Sequence, residues 1–177
     1  WQLNRFFLSS IMNNVFFFLL CVIILSSCKS NTEYEENLEH FKNLIEDINN
    51  YFLDSTLENI DISSYYTEDF LFHSYPVNYR KGVETSKINY INGFNEMKGE
   101  NMSINICHSI YLPGIDENSY EINGSVRVYY GAILSLDTNN IEFSGYQTVN
   151  FEQGKISEIW EWADYGGVSL QLKNFIE

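Results

Sequence analysis

"FEQGKISEIWEWADYGGVSLQL", residues 151–172, is the stretch of the chain that decides the fold. Gln153-Gly154 is a turn dipeptide between two apolar runs, which is typical of a β-hairpin. Large apolar residues then alternate with polar ones up to Asp164, as in a strand with one buried face. A glycine pair and a short apolar segment follow, and they predict a closing helix. The stretch therefore predicts a hairpin strand that ends at one carboxylate and a helix.

The strands before this hairpin alternate in the same way. Residues 104–112, 122–134 and 141–151 place apolar side chains at every second position, and Pro113-Gly114 and residues 137–140 supply the turns. Strands that follow one another through short turns predict an antiparallel meander. The positions expected to face inward on the middle strand include Ile122, Val126, Val128 and Tyr130.

Helical periodicity comes before the strands. Apolar residues recur at helical spacing over residues 38–52, and Thr32 and Glu35 have the spacing of a capping box. A second, shorter helix is predicted over residues 55–69, and a third over residues 82–99. A brief strand, "FLFHSYP", lies between these two helices. Helices followed by an antiparallel meander indicate an α+β fold rather than α/β.

The beginning of the chain predicts a targeting segment. Residues 13–28 form an uncharged apolar run that is short for a membrane span and ends in small residues before Cys28. Leu25-Ser26-Ser27-Cys28 resembles the bacterial lipobox, and a buried core helix is the alternative. We therefore expect a lipoprotein signal peptide over residues 1–28, a polar tether over 29–33 and a domain over 34–177. Lipidation of Cys28 would anchor the protein to a membrane of the bacterial cell envelope, facing away from the cytoplasm.

The charge balance limits the partners. The chain carries 24 acidic and 10 basic residues, for a net charge of −14. Because no basic patch can neutralise phosphates, we expect no nucleic-acid partner, and a lipid rather than electrostatics would hold the protein at a membrane. With Cys21 in the signal and Cys28 lipidated, Cys107 has no cysteine left to pair with. The chain also lacks zinc-type Cys/His spacing, so we expect no metal.

The order of these elements resembles the nuclear transport factor 2-like (NTF2-like) superfamily, and SnoaL-like domains within it. The residues that carry the resemblance are "YYTEDFLFH" (65–73), "RKGVETSKINYINGF" (80–94) and the stretch quoted above. That stretch is similar to the family's Gly-Lys-Ile turn, its tryptophan four residues before an aspartate and its closing Gln-Leu. The resemblance covers roughly residues 34–174. It implies a cone: a curved antiparallel sheet around about three N-terminal helices, a short C-terminal helix and an apolar cavity.

The resemblance also implies candidate site residues. Asp164 matches the general base of SnoaL-type cyclases, and period-two parity places it with Trp160 and Trp162; an N-cap of the closing helix is the alternative. His108 is a candidate acid, although a histidine among isoleucines is more often a core residue. Ligand contacts are expected from the residues that would line the pocket: Trp160, Trp162, Gln147, Tyr130, His73 and Tyr66.

Three functions remain open at this point. The first is an envelope lipoprotein whose cone binds a small, largely apolar molecule. The second is a cyclase, isomerase or dehydratase that uses Asp164 as base and needs no cofactor. The third is a dimerisation module whose cone is filled and whose sheet face forms a homodimer. The fold supports all three classes, so the site must decide among them.

Overall fold

The computed structural model describes residues 32–176. The predicted signal peptide, the lipobox with Cys28 and residues 29–31 of the tether lie outside the described residues. The first helix begins at Thr32, so Thr32 and Glu33 of the predicted tether are helical. Among residues 32–176, no helix combines the length and the apolar character needed to cross a membrane.

The described part contains three α-helices and six strands. In chain order these are α1 (Thr32–Leu53), β1 (Tyr66–Ser74), β2 (Val83–Ser86), α2 (Lys87–Gly99), β3 (Met102–Ile115), β4 (Ile122–Leu136), β5 (Asn139–Glu152), β6 (Lys155–Ala163) and α3 (Tyr165–Ile176). The strands form one curved sheet in the order β2-β1-β6-β5-β4-β3. The pairs from β3 to β6 are antiparallel, as predicted. β1 and β6 run parallel, so the sheet is mixed rather than wholly antiparallel.

Helix α1 packs its apolar face onto one face of the sheet, which we call the inner face. Phe41, Leu44 and Ile48 are buried there against Val126 and Ile159, which confirms the predicted helical face. The opposite side of the sheet is the outer face. Burial of such side chains contributes about 1.5–3 kcal/mol each, so this contact is a main source of stability.

Polar side chains of α1 fix the helix against the sheet. Asn49 bonds both backbone groups of Ile106: its Nδ2 donates to the carbonyl at 3.1 Å, and its Oδ1 accepts from the amide at 2.9 Å. β3 is an edge strand, and such strands expose unpaired backbone groups. Asn49 therefore covers part of this edge and holds α1 beside it.

Two of the predicted helices differ from the structure. Residues 55–69 do not form a helix: Asp54 Oδ1 accepts bonds from Thr56 N and Oγ1 and starts a turn, and a single 3₁₀ turn, Ser63–Tyr65, leads into β1. Side chains that bond the nearby backbone favour turns over helices. The third predicted helix begins at Lys87 rather than Gly82, because Val83–Ser86 pairs with β1.

β-bulges change which residues face inward. In β3, Ile106 pairs with Ala132 and His108 with Gly131, which leaves Cys107 as the extra residue. In β6, Ile156 pairs with Phe151 and Glu158 with Asn150, which leaves Ser157 as the extra residue. An extra residue moves every following side chain to the opposite face.

The inward assignment of β4 is correct over most of its length. Val126, Val128 and Tyr130 are buried, as predicted. Ile122 is 43% exposed, so it does not contribute to the buried core as the other three residues do. It pairs with Ile115 beyond a second register shift in β3, at the end of the ladder.

Candidate functional site

A cavity of about 390 Å³ lies between the three helices and the inner face of the sheet. Its wall is mostly apolar, with Leu44 and Ile48 from α1, Phe94 and Met97 from α2, and Leu172 from α3. The side chains of the described residues therefore do not fill the cone, contrary to the filled-cone alternative. The volume falls within the range of about 300–1,000 Å³ that is usual for small-molecule sites.

One carboxylate faces this cavity. Glu161 Oε2 accepts a hydrogen bond from Tyr130 Oη at 2.8 Å and another from Gln147 Nε2. Its second oxygen, Oε1, accepts from Tyr165 Oη at 2.6 Å. A carboxylate offers about four acceptor positions, so capacity for one further donor remains. Within residues 32–176, Glu161 forms no ion pair.

The strand registers bring these four polar side chains together. Gln147 is the direct cross-strand neighbour of Glu161. Tyr130 reaches across from β4, where it pairs with Gly145. Tyr165 is the first residue of α3 and follows Glu161 by four positions. The bulge at Ser157 places Glu161 on the inner face, with Ile159 and Ala163 on either side.

The tyrosines of the cavity are held in their neutral form. Burial raises the pKa of Tyr130 and of Tyr165 far above the ordinary value, and the charge of Glu161 and the hydrogen bond to it raise it further. Burial and the same charge also raise the pKa of Tyr90. Because these hydroxyls keep their protons, Tyr130 and Tyr165 act as hydrogen-bond donors to Glu161.

Asp164 lies outside the cavity, at the start of α3. Its Oδ1 accepts a hydrogen bond from the backbone N of Gly167 at 2.8 Å, and its carbonyl accepts from Val168 N at 3.0 Å. Its side chain is exposed. A Cβ at Gly167 would overlap the Asp164 carboxylate. This is the contact of an N-cap, and Asp164 therefore orients the helix that carries Tyr165.

The bulge at Cys107 carries His108 to the outer face. The residue is exposed, and its ring covers Gly131, where an added Cβ would lie 2.6 Å from Nδ1. The inner face of β3 continues instead with Ser109 and Tyr111. His108 and Glu161 therefore lie on opposite faces of the sheet, and the predicted pairing of an acid with a base at His108 and Asp164 does not form.

Of the six residues expected to line the pocket, Tyr130 and Gln147 do so. Tyr66 is fully buried in the core. The other three, His73, Trp160 and Trp162, lie on the outer face. For the two tryptophans the cause is the bulge at Ser157, and on β1 it is Phe72, the neighbour of His73, that lines the cavity.

The outer face carries its own aromatic cluster. The rings of Tyr75 and Trp162 stack at 4.7 Å with an interplanar angle of 8°, and Trp160 lies 4.6 Å from the ring of His73. The His73 side chain is buried between Glu84 and Glu158, at 3.9 and 3.7 Å. The aromatic surface that the sequence assigned to the cavity wall thus belongs to this face.

Sequence reasoning missed Glu161, Tyr165 and Tyr90. The available signal was the pair Ile156 and Ile159: two apolar residues three apart in a strand indicate a bulge between them. With that bulge, Glu161 becomes a single charged residue on an apolar face, which is the usual mark of a functional group. Among residues 32–176, no three His, Cys, Asp or Glu side chains are grouped to hold a metal ion.

No protein-family model and no curated protein matches the chain. Solved structures do resemble it. A pinacolase, BvnE, from Penicillium brevicompactum has a TM-score of 0.59 and 13% identity, over 86% of this chain and 99% of its own. An NTF2-like protein from Anabaena variabilis has a TM-score of 0.53 and 13% identity, over 76% and 91%. An LEH-like epoxide hydrolase from M. tuberculosis has a TM-score of 0.51 and 11% identity, over 73% of this chain and 84% of its own.

At these identities the likeness establishes the fold alone. The chain has a cone-shaped α+β fold like that of the NTF2-like structure from Anabaena variabilis, and this fold is the one that the resemblance of the sequence implied.

Proposed function

We propose that residues 32–176 bind one small, largely apolar molecule in the cavity and that Glu161 orients a polar group of that molecule. The observation that carries the proposal is a single carboxylate, held by three neutral donors, in an otherwise apolar cavity of about 390 Å³. Apolar walls supply affinity, and a few fixed polar groups supply orientation. The remaining acceptor capacity of Glu161 suits a ligand that donates a hydrogen bond.

A cavity-filling substitution tests this proposal. Ala163 lines the cavity, whereas its neighbour Trp162 lies on the outer face. We expect the neutral dye Nile red to bind the full chain with one-to-one stoichiometry, and Ala163→Phe to abolish this binding. Trp162→Phe is the matched control and should bind as the wild type does. Equal binding by all three proteins would contradict the cavity as the site.

A second candidate is a cofactor-free enzyme that transfers protons. The favouring observation is that Glu161 contacts two tyrosine hydroxyls inside the cavity, so a base and neutral donors meet at one place. Two similar structures carry enzyme names, a pinacolase and an epoxide hydrolase. In this reading Glu161, not Asp164, is the base. Glu161→Gln would then abolish turnover while Nile red still binds, and an unchanged rate would exclude the role.

The membrane anchor remains a proposal that rests on the sequence Leu25-Ser26-Ser27-Cys28. Lipidation of Cys28 would hold the domain at the surface of the cell envelope. Metabolic labelling with a fatty acid should mark the wild type and Cys107→Ser, but not Cys28→Ser. Cys107 is the appropriate control because it is an exposed thiol of the folded domain. Labelling of Cys28→Ser would refute the anchor.

We also propose that the chain forms a homodimer through the outer face of the sheet. Ile110, Tyr129 and Trp162 are 58%, 52% and 42% exposed on this face. Clustered apolar exposure of this kind marks interaction surfaces. Sedimentation should give twice the monomer mass for the wild type and the monomer mass for Tyr129→Lys. A monomeric wild type would exclude the dimer.

A further inference from the structure

The charge inside the cavity is unbalanced. Of the described residues that line it, Glu161 is the one carboxylate, and none is a lysine, arginine or histidine. Its three partners are the neutral groups of Tyr130, Gln147 and Tyr165. Glu161 is partly buried, and a carboxylate that is partly withdrawn from water with only neutral partners favours a ligand that brings the positive charge.

Aromatic rings surround the same space. Phe72, Tyr90, Phe94 and Phe143 line the cavity together with the two tyrosines that bond Glu161. The faces of such rings are negative and attract ammonium groups, an effect that strengthens when water is excluded. A carboxylate within a set of aromatic rings is therefore a site suited to an organic cation. The net charge of −14 would also concentrate cations near the protein.

We infer that the ligand of this cavity is an amine: an ammonium group directed at Glu161 on an apolar body that fills the rest of the space. This inference rests on the proposed function. An alcohol of the same skeleton can donate one hydrogen bond to Glu161 but gains no charge attraction. An acid of the same skeleton is repelled by the negative charge of Glu161, and the three donors around Glu161 cannot compensate because they are already engaged.

Three ligands that share one skeleton test the inference: phenylbutylamine, phenylbutanol and phenylbutyric acid. Each is titrated against the purified full chain by calorimetry at neutral pH. We expect the amine to bind at least ten times more tightly than the alcohol, and the acid to bind most weakly. In Glu161→Gln the amine should lose its advantage over the alcohol, and an unchanged circular dichroism spectrum reports that the variant is folded. The ranking in the wild-type chain needs no variant.

Several results would overturn the inference and leave the proposed function intact. These are equal affinities for amine and alcohol, a preference for the acid, or no binding of the series by a chain that binds Nile red. An amine preference that survives in Glu161→Gln would also overturn it, because the charge would then act elsewhere. Failure of Nile red itself to bind would refute the proposed function and this inference with it.

Discussion

Gly145 lies directly across the ladder from Tyr130 and provides the space in which the Tyr130 ring reaches Glu161. A Cβ at position 145 would overlap the carbon and oxygen atoms of that ring. Glycine inside a strand normally weakens it, so its presence here marks a close approach rather than a turn. The carboxylate in the cavity thus depends on a residue that does not touch it.

Gly145→Ala should destabilise the domain and move Tyr130 away from Glu161. Overpacking of this kind costs about 1–3 kcal/mol. Gly93→Ala is the matched control: the position lies in α2 with open space around it, so alanine should raise stability by about 0.5–1 kcal/mol. Urea unfolding of both variants measures the two changes in the free energy of unfolding, which should have opposite signs. A stable Gly145→Ala would mean that the Tyr130 ring moves freely.

The cap at Asp164 gives a second prediction. Asp164→Ala should cost about 0.5–2 kcal/mol, whereas Asp164→Asn should cost little, because asparagine caps helices as well as aspartate does. Both variants should bind Nile red, since Asp164 lies outside the cavity. Thermal unfolding and dye titration measure the two properties. Loss of dye binding by a stable Asp164→Asn variant would show that Asp164 contributes to the binding site.

Much of the fold could be predicted from the sequence because periodicity reports burial directly. The apolar face of α1 and the inward residues of β4 agree with their patterns. The parallel pairing of β1 with β6 could not be read in this way, because it depends on contacts between segments distant in the chain. Residues 55–69 also have a helical pattern but begin with a turn, because the Asp54 carboxylate accepts a hydrogen bond from the backbone N of Thr56.

The errors at the site have a common cause. Alternation shows which residues share a face only as far as the next bulge. Because Cys107 is an extra residue, His108 lies on the outer face. Because Ser157 is an extra residue, Glu161 lies on the inner face, where the alternation had placed Trp160 and Trp162. The inward position of His108 was predicted by counting through a bulge, whereas Asp164 was predicted from the family resemblance and is the N-cap of α3. Bulges often lie beside functional sites, where they direct side chains.

Tyr65 offers a prediction about pH. Its hydroxyl donates to Asp47 Oδ2 at 2.6 Å. Burial, the hydrogen bond to Asp47 and the charge of Asp47 raise the pKa of Tyr65 to about 12. The unfolded chain therefore releases this proton first, near the ordinary pKa of about 10. The stabilising contribution is complete below pH 10 and falls as the pH rises towards 12.

NMR titration of the Tyr65 ring carbon that bears the hydroxyl measures this pKa. In Asp47→Asn we expect the pKa of Tyr65 to fall but to stay above its ordinary value, because burial is the largest cause. Glu46→Gln is the control and should lower it less, since the charge of Glu46 is the smallest of the causes. A pKa unchanged by Asp47→Asn would show that the hydrogen bond does not persist in solution.

The last prediction concerns the attachment of α3. Tyr165 joins this helix to Glu161 through a bond of 2.6 Å, and bonds to a charged group contribute about 1.5–3 kcal/mol. Tyr165→Phe removes the hydroxyl and keeps the ring, so α3 should open more often while β4 and β5 do not. We expect amide hydrogen exchange in α3 to accelerate about tenfold or more. Leu170→Ala is the control on the same helix, because Leu170 is 62% exposed and should leave the rates unchanged. Equal exchange in all three proteins would show that packing, not Glu161, holds α3 over the cavity.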